Sequence, residues 1–529
     1  MRPTPYLLPP SPNTDGGQTI HLSNAINACF ARPTDETIWN EFSTMRQPQP
    51  TVVPTVDWLL GVRESLGDSI FGYQDKNAGA CTIECPVIQW QREKVSYYDD
   101  RTHFARPKIT DDDYFGLMRF MHSSNNWKRI APFPTVERLR RPYGYVFQKK
   151  KSPVKNRLIV SYWVHPLKRV YNYGSRALAF ILRNACMPSF TLWNVRDITP
   201  KLREWYASMH NAYEADTRFL KACADAKEMD TAIPHNFLLR AVEYIIDRCE
   251  TTNPRARRKT VCVERAARGS IRFGRSPNGS QFVNLTFEEV MTIVGTDIRT
   301  CYFVSLGVWL LQIVGVPMGS PGSPTYAICL CAYSEYQFYQ SARDFAILHR
   351  LPDADILFRG ARYVDDISFL AVYDATSREN KLLAESVIAH LFGHTYHENM
   401  IIEPEPSEGW FPFLEIVLNL PAEGPLRIRF QNKNWDEFIT TGRIGRLTIC
   451  HRSSFMDERT AMLRVYATLY RVAAAADTDF YRITGTLELF VLMRAQGYSA
   501  RTFKAALHKY ATRKCERLWK GIAKLIDHI

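Results

Sequence analysis

Residues 356–373 read ILFRGARYVDDISFLAVY, two apolar runs rich in β-branched and aromatic residues that meet at a tight turn. The pattern predicts a β-hairpin with Asp365 and Asp366 at its tip. Upstream, residues 225–234 read DAKEMDTAIP, with apolar strand-like sequence before Asp225. From about Asn236, FLLRAVEYIIDRC puts Phe237, Ala241, Val242, Ile245 and Cys249 on one helical face. Asp225 is therefore expected where a strand gives way to a helix. Between these two stretches lie CYFVSLGVWLLQIVGV, a Gly/Pro/Ser turn, and a small-residue helix expected to begin near Pro324.

Outside this centre the chain changes character several times. The first fifty residues hold two proline clusters, LLPPSP and QPQPTVVP, and read as a flexible arm. Residues 51–110 form an extension in which DWLLGVRESL suggests a helix. In residues 135–172, GYVFQKKKSPVKNRLIVSYWV predicts a hairpin with Lys149, Lys150, Lys151, Lys155 and Arg157 near its tip. Residues 251–282 carry eight basic residues against the single acid Glu264, and are expected to form a solvated basic loop. The last 75 residues read as helical, and Arg501, Lys504, Lys509, Arg513, Lys514, Arg517, Lys520 and Lys524 make them basic.

The bulk composition narrows the classes. With 529 residues, 46% hydrophobic and 12% aromatic, the chain can build more than one core. The formal net charge of +13 favours a polyanionic partner, nucleic acid first. There is no apolar leader and no uncharged run of membrane-spanning length, so an intracellular protein with no membrane partner is expected. The twelve cysteines show neither a disulfide framework nor paired zinc-ligand spacing. His390, His394 and His397 would share a helical face, and with Cys81 and Cys85 they form a weak candidate zinc set.

Three aspartates at adjoining strand ends have a specific chemical use. In phosphoryl transfer one metal ion lowers the pKa of an attacking hydroxyl while a second neutralises the leaving pyrophosphate. Hard oxygen ligands from shared carboxylates suit that pair. Asp225, Asp365 and Asp366 are the candidate catalytic and metal-ligating residues, for two Mg2+ (or Mn2+) ions. An aromatic-x-Asp-Asp string alone is common; the ordered set of motifs carries the weight.

That set is DAKEMDTAIP (225–234), QIVGVPMGSPGSP (312–324), RYVDD (362–366) and FPFLEIVL (411–418). It resembles the reverse transcriptases of Penelope-like elements, relatives of telomerase, across about residues 140–420. The resemblance implies an α/β (α+β) right-hand polymerase, with an antiparallel palm sheet backed by helices. It places basic fingers at 111–222, the palm at 223–429 and a helical thumb at 430–529 that holds the product duplex. It implies an RNA-directed DNA polymerase, a nucleotidyltransferase acting on an RNA template, a primer–template duplex and dNTPs, and in a eukaryotic retroelement a nuclear one. By the same resemblance Lys155, Arg157, Ala226, Asp230, Gly319, Ser320 and Pro321 would contact the nucleotide, and Phe413, Leu414 and Glu415 would lie by the primer-gripping strand.

Three departures qualify the resemblance. Asp230 stands where the family carries the aromatic ring that excludes a ribose 2′-hydroxyl. An aspartate accepts hydrogen bonds there, which points to NTP use and to RNA-directed RNA synthesis as the alternative activity. No lysine occurs in residues 392–419, where related polymerases keep a proton donor, so His394 or His397 is the candidate general acid. No GIY-YIG endonuclease signature follows residue 430. A catalytically silent nucleic-acid-binding protein is a further alternative, and intact acidic ligands argue against it.

Overall fold

The computed structural model describes residues 70–75 and 81–527 except 150–151, 350, 406–408, 421–424, 443 and 445–456, together with isolated positions between 57 and 64. The proline-rich arm and most of the helix expected in DWLLGVRESL lie outside the described residues.

The organising element is a four-stranded antiparallel sheet. Its order is Phe358–Tyr363, Asp366–Asp374, Thr217–Lys227 and Ile401–Glu405. Its two faces follow from strand periodicity. Ala222, Ala224 and Ala226 alternate with Cys223, Asp225 and Lys227 along the central strand, and Ile367, Phe369 and Ala371 alternate with Asp366, Ser368 and Leu370 on its neighbour. The alanines, Ile367 and Phe369 are buried in the cores to which helices Ser323–Leu348 and Arg378–His394 contribute. Small side chains let the 26-residue helix approach the sheet closely. The opposite face carries the acids.

Two further regions flank this palm. Ahead of it the hairpin Gly144–Lys149 and Ser152–Val160 forms as the basic pattern suggests, and helix Lys168–Arg183 packs on helices His235–Thr252 and Phe287–Arg299. The latter starts from a reciprocal capping box of Thr286 and Glu289, which satisfies two otherwise orphaned backbone amides. Beyond the palm, Trp410–Phe413, Ile416–Asn419 and Arg427–Phe430 form a small antiparallel sheet, followed by helices Glu458–Ala475, Asp479–Ala495, Ala500–Lys514 and Arg517–Asp527. These last helices own a separate core around Leu469, Phe503, Tyr510 and Trp519.

One expectation changes. The basic stretch 251–282 is not a loop: Thr260–Glu264, Ile271–Phe273 and Phe282–Thr286 pair as a three-stranded sheet, because Val261, Val263, Val283 and Leu285 alternate inward against the core while the arginines stay outside. The extension before residue 110 is partly structural. Phe104–Ala105 adds a strand to the hairpin of Tyr302–Ser305 and Val308–Gln312, and Tyr97 and Phe104 pack edge-on to Phe303.

Candidate active site

Register brings the candidate acids together. Asp366 pairs directly with Asp225 across the two central strands, and Glu403 pairs with Asp225 from the other side. The backbone amide of Ala226 donates to the carbonyl oxygen of Asp365 at 2.9 Å, so the hairpin tip is bonded to the strand that carries Asp225. The turn is tight: Tyr363 pairs with Asp366, and Val364 sits at φ +59°. A β-branched residue in the left-handed region is strained, and such strain persists only where the surroundings over-determine it. Here the holding group is Arg362. Its guanidinium is fully buried, donates to the Val364 carbonyl at 2.9 Å and to Thr191 Oγ1 at 3.0 Å, and pairs with Glu335 on the long helix. Glu335 also accepts from the Phe190 amide at 2.8 Å and the Tyr396 hydroxyl at 3.1 Å.

The electrostatics of the acidic face fit a cation. Burial pushes the Asp366 carboxyl up to about 6, and Asp365, Asp225 and Glu405 push the same way while Lys433 opposes them. Clustered carboxylates that destabilise one another's charge favour a neighbouring cation. The set is not closed: among the described residues no three such side chains already surround one point. Asp225 Oδ2 instead receives the Lys227 ammonium at 2.7 Å, which also reaches Glu403 at 3.2 Å. A divalent ion there would take Asp225, Asp365 and Asp366 as ligands and displace that ammonium.

Asp230 joins the group from the turn after the central strand. Burial and the charge of Asp365 raise its carboxyl to about 6, with the Arg157 guanidinium acting in the opposite direction. Arg157, on the basic hairpin, thus acts on the acidic face from the fingers side. Lys155 is on the same strand, but its side chain, with Lys150 and Lys151, lies outside the described residues.

The glycine-rich turn abuts both parts. Val316 N donates to Asp230 O at 2.6 Å, and Gly315, at φ +85°, has that same carbonyl where a Cβ would stand. Gly319 is exposed at φ +142°, and any Cβ there would run into the Val160 carbonyl oxygen. The neighbouring Val160 amide donates to Met318 O at 3.2 Å, which ties the turn to the basic hairpin. Only glycine fits such a close approach of two backbones.

Several expected contact residues play different parts. Ser320 is buried, and its hydroxyl donates to Asp297 Oδ2 at 2.7 Å while accepting from the Gly322 amide at 3.0 Å; it anchors the turn from below. Ala226 directs its methyl into the core and contributes only its backbone. Pro321 is half-buried on the turn. His394 is exposed at the end of its helix beside His390, and His397 packs on Phe237 at 5.0 Å, in the helical layer opposite the acids. No metal-holding set of these histidines with Cys85 exists among the described residues. Phe413 is core, whereas Glu415 at the next turn bonds Arg471 of the first thumb helix at 2.6 Å. Lys227, Glu403 and Lys433 escaped the sequence reading, since only cross-strand register and the return of the chain after residue 430 bring them to the acids.

No protein-family model matches the chain, and no curated protein matches it significantly. Solved structures do. The telomerase of Candida albicans in complex with a telomeric RNA fragment superposes with a TM-score of 0.52 at 10% identity, over 89% of this chain and 71% of that one. An apo telomerase of Candida tropicalis gives 0.46 at 8% identity over 89% and 77%, and a Sicinivirus RNA-dependent RNA polymerase gives 0.38 at 12% over 89% and 78%. At these identities the likeness concerns architecture. The chain has a mixed helical and antiparallel-sheet fold similar to that of the Candida albicans telomerase, with the acidic face on its central four-stranded sheet.

Proposed function

We propose that the protein is a template-directed nucleotidyltransferase, an RNA-directed DNA polymerase of Penelope-like type that extends a primer on an RNA template with dNTPs. The observation that carries this reading is the in-register pairing of Asp225 with Asp366, with Asp365 bonded back to the same strand through its carbonyl. Two Mg2+ (or Mn2+) ions, when bound, would activate the primer hydroxyl and neutralise the pyrophosphate. Asp225, Asp365 and Asp366 would hold them. Arg157 orients triphosphate oxygens as a rigid, permanently charged fork. The Gly319 turn lets the backbone approach the nascent pair, and Glu415 bonds the grip hairpin to the thumb through Arg471.

Asp230 supports a second reading. Its carboxyl faces Asp365 and Arg157 from the position where a ring would otherwise exclude a ribose hydroxyl, and a hydrogen-bond acceptor there favours NTPs and RNA-directed RNA synthesis. His394 or His397 would serve as proton donor to the leaving group only after a rearrangement that brings the helical layer round to the acidic face.

Primer extension on an RNA template with Mg2+ tests both readings. Asp365→Asn is expected to abolish extension by more than about a thousandfold while leaving nucleic-acid binding intact. Running dNTPs against NTPs decides the sugar. Strict deoxy preference that persists in Asp230→Ala would remove Asp230 from sugar selection, an Asp365→Asn enzyme with wild-type extension would remove Asp365 from the catalytic site, and a wild-type chain that extends no primer would sink the polymerase assignment itself.

A further inference from the structure

We propose that Lys227 is a built-in competitor for the divalent ion at Asp225, and that Glu403 on the edge of the sheet receives its ammonium when the ion binds. This rests on the reading of the chain as a metal-dependent polymerase, and concerns how its ion site fills. Strand periodicity puts Lys227 on the same face as Asp225, two residues away. Antiparallel register sets Glu403 opposite Asp225 and Ile401 opposite Lys227. Glu403 is therefore the diagonal neighbour of Lys227, within reach of a long side chain. The ammonium lies 2.7 Å from Asp225 Oδ2 and 3.2 Å from Glu403 Oε2. One cation thus bridges a candidate ligand and a carboxylate outside the candidate set.

Exposure makes this bridge movable. The Lys227 side chain keeps 38% of its accessible surface, Glu403 57% and Asp225 24%. Ion pairs open to water to this degree are individually weak, worth at most about fivefold in an equilibrium constant. They bias the occupancy of a site without closing it. The other cations of the acidic face stand elsewhere: Arg157 acts on Asp230 and Lys433 on Asp366, whereas Lys227 bonds Asp225 itself.

In the metal-free protein the ammonium offsets the mutual repulsion of the clustered carboxylates. A divalent ion that takes Asp225 Oδ2 must dislodge it. An ammonium driven into water would lose both partners, but one that moves along the bridge toward Glu403 keeps a carboxylate. The contact at 3.2 Å is the seat already within its reach. By linkage, whatever holds the ammonium on Asp225 weakens the ion by the same factor, and whatever receives it afterwards strengthens the ion. Lys227 is thus a positioning residue that acts through Asp225, and Glu403 acts through Lys227.

Binding of Mn2+ to the full chain without nucleic acid, read from the EPR signal of the free ion, tests this, beside thermal melts in EDTA and in saturating Mn2+. Lys227→Met is expected to tighten Mn2+ about fivefold, to melt below wild type in EDTA and to melt with it once Mn2+ is saturating. Primer extension by this variant should half-saturate at correspondingly lower Mg2+. Lys227→Arg, which keeps the charge, should hold the wild-type affinity within about twofold. Glu403→Gln is expected to weaken Mn2+ about two- to threefold by itself, and to have no effect in the Lys227→Met background. An equal loss from Glu403→Gln in both backgrounds would mean that Glu403 acts on the ion directly, and an unchanged Mn2+ affinity in Lys227→Met would mean that the lysine does not compete. Either result overturns the proposal, and the polymerase reading stands if wild type extends primers and loses its Mn2+ in Asp365→Asn. A wild-type chain with no Asp365-dependent Mn2+ binding and no primer extension takes both down.

Discussion

Gly319 and Asp297 show how much of the candidate site depends on single residues beside it. Gly319→Ala forces a Cβ against the Val160 carbonyl at a φ of +142° that alanine scarcely adopts. The turn must shift away from the basic hairpin. We expect a loss of about 2–4 kcal/mol in urea unfolding and at least about a hundredfold loss in primer extension. Asp297 holds the same turn from inside. Its Oδ2 accepts from Ser320 and from Tyr326 at 2.9 Å, and burial raises its carboxyl to about 6. The folded state therefore binds the proton more tightly than the unfolded chain, whose aspartate titrates near about 4. Stability from this group is fully present below that value and is lost as pH rises through about 6, some 3 kcal/mol in order of magnitude. Asp297→Asn keeps one acceptor oxygen for both donors. It should match wild type near pH 4, exceed it by up to about 3 kcal/mol above pH 7, and remove the slope between. Equal pH profiles in urea melts would contradict this account.

At the scale of elements, the acidic hairpin was legible because its cause is local. Alternating apolar residues on either side of an Asp-Asp pair specify two strands and a turn wherever they occur, and the pairing of Asp225 with Asp366 then follows from packing the alanine face inward. What locks the hairpin was not legible. Arg362 stands inside RYVDD, yet its partner Glu335 is 27 residues upstream on a helix whose sequence reads simply as small and apolar. The basic stretch 251–282 misled for a related reason: its charge is conspicuous, whereas its four inward aliphatic residues matter only once helix Lys168–Arg183 is there to receive them. The Arg362–Glu335 pair makes a direct prediction. Glu335→Ala leaves a buried guanidinium uncompensated and strips a partner from the Phe190 amide and the Tyr396 hydroxyl. The expected cost is about 3–5 kcal/mol by chemical denaturation. Arg362→Met/Glu335→Leu, which removes both charges, should recover most of that stability but little activity, because the strained Val364 turn loses its donor. Full recovery of extension in the double variant would mean that the pair serves packing alone.

For the molecule as a whole, motif order led to the expectation of fingers, palm and thumb, but the part played by the segment before Asp111 was not legible, since it carries no motif and its partners are remote. Tyr97 is buried against Phe104 and Phe303 with centroids 5.2 Å away in each case, and its hydroxyl donates to the carbonyls of Tyr145 and Ile159 at 3.0 and 2.9 Å. Those carbonyls belong to the two strands of the hairpin that carries Arg157. Phe104 and Ala105 meanwhile pair with Gln312 and Leu311, just before the glycine-rich turn. One segment thus clamps both components that converge on Asp230. Burial of Tyr97 and Phe104 contributes about 2–3 kcal/mol each, and two strand bonds are added to that. A chain beginning at Asp111 is therefore expected to lose about 5 kcal/mol or more, and to bind triphosphate poorly even where it stays folded. Phe104→Ala in the full chain should cost about 3–5 kcal/mol, with a rise in KM for nucleotide that exceeds its effect on duplex affinity. The physical reason is that Arg157 acts on the acidic face only while its hairpin is pinned. A shortened chain with wild-type melting temperature and nucleotide KM would show that the hairpin and turn hold their places without it.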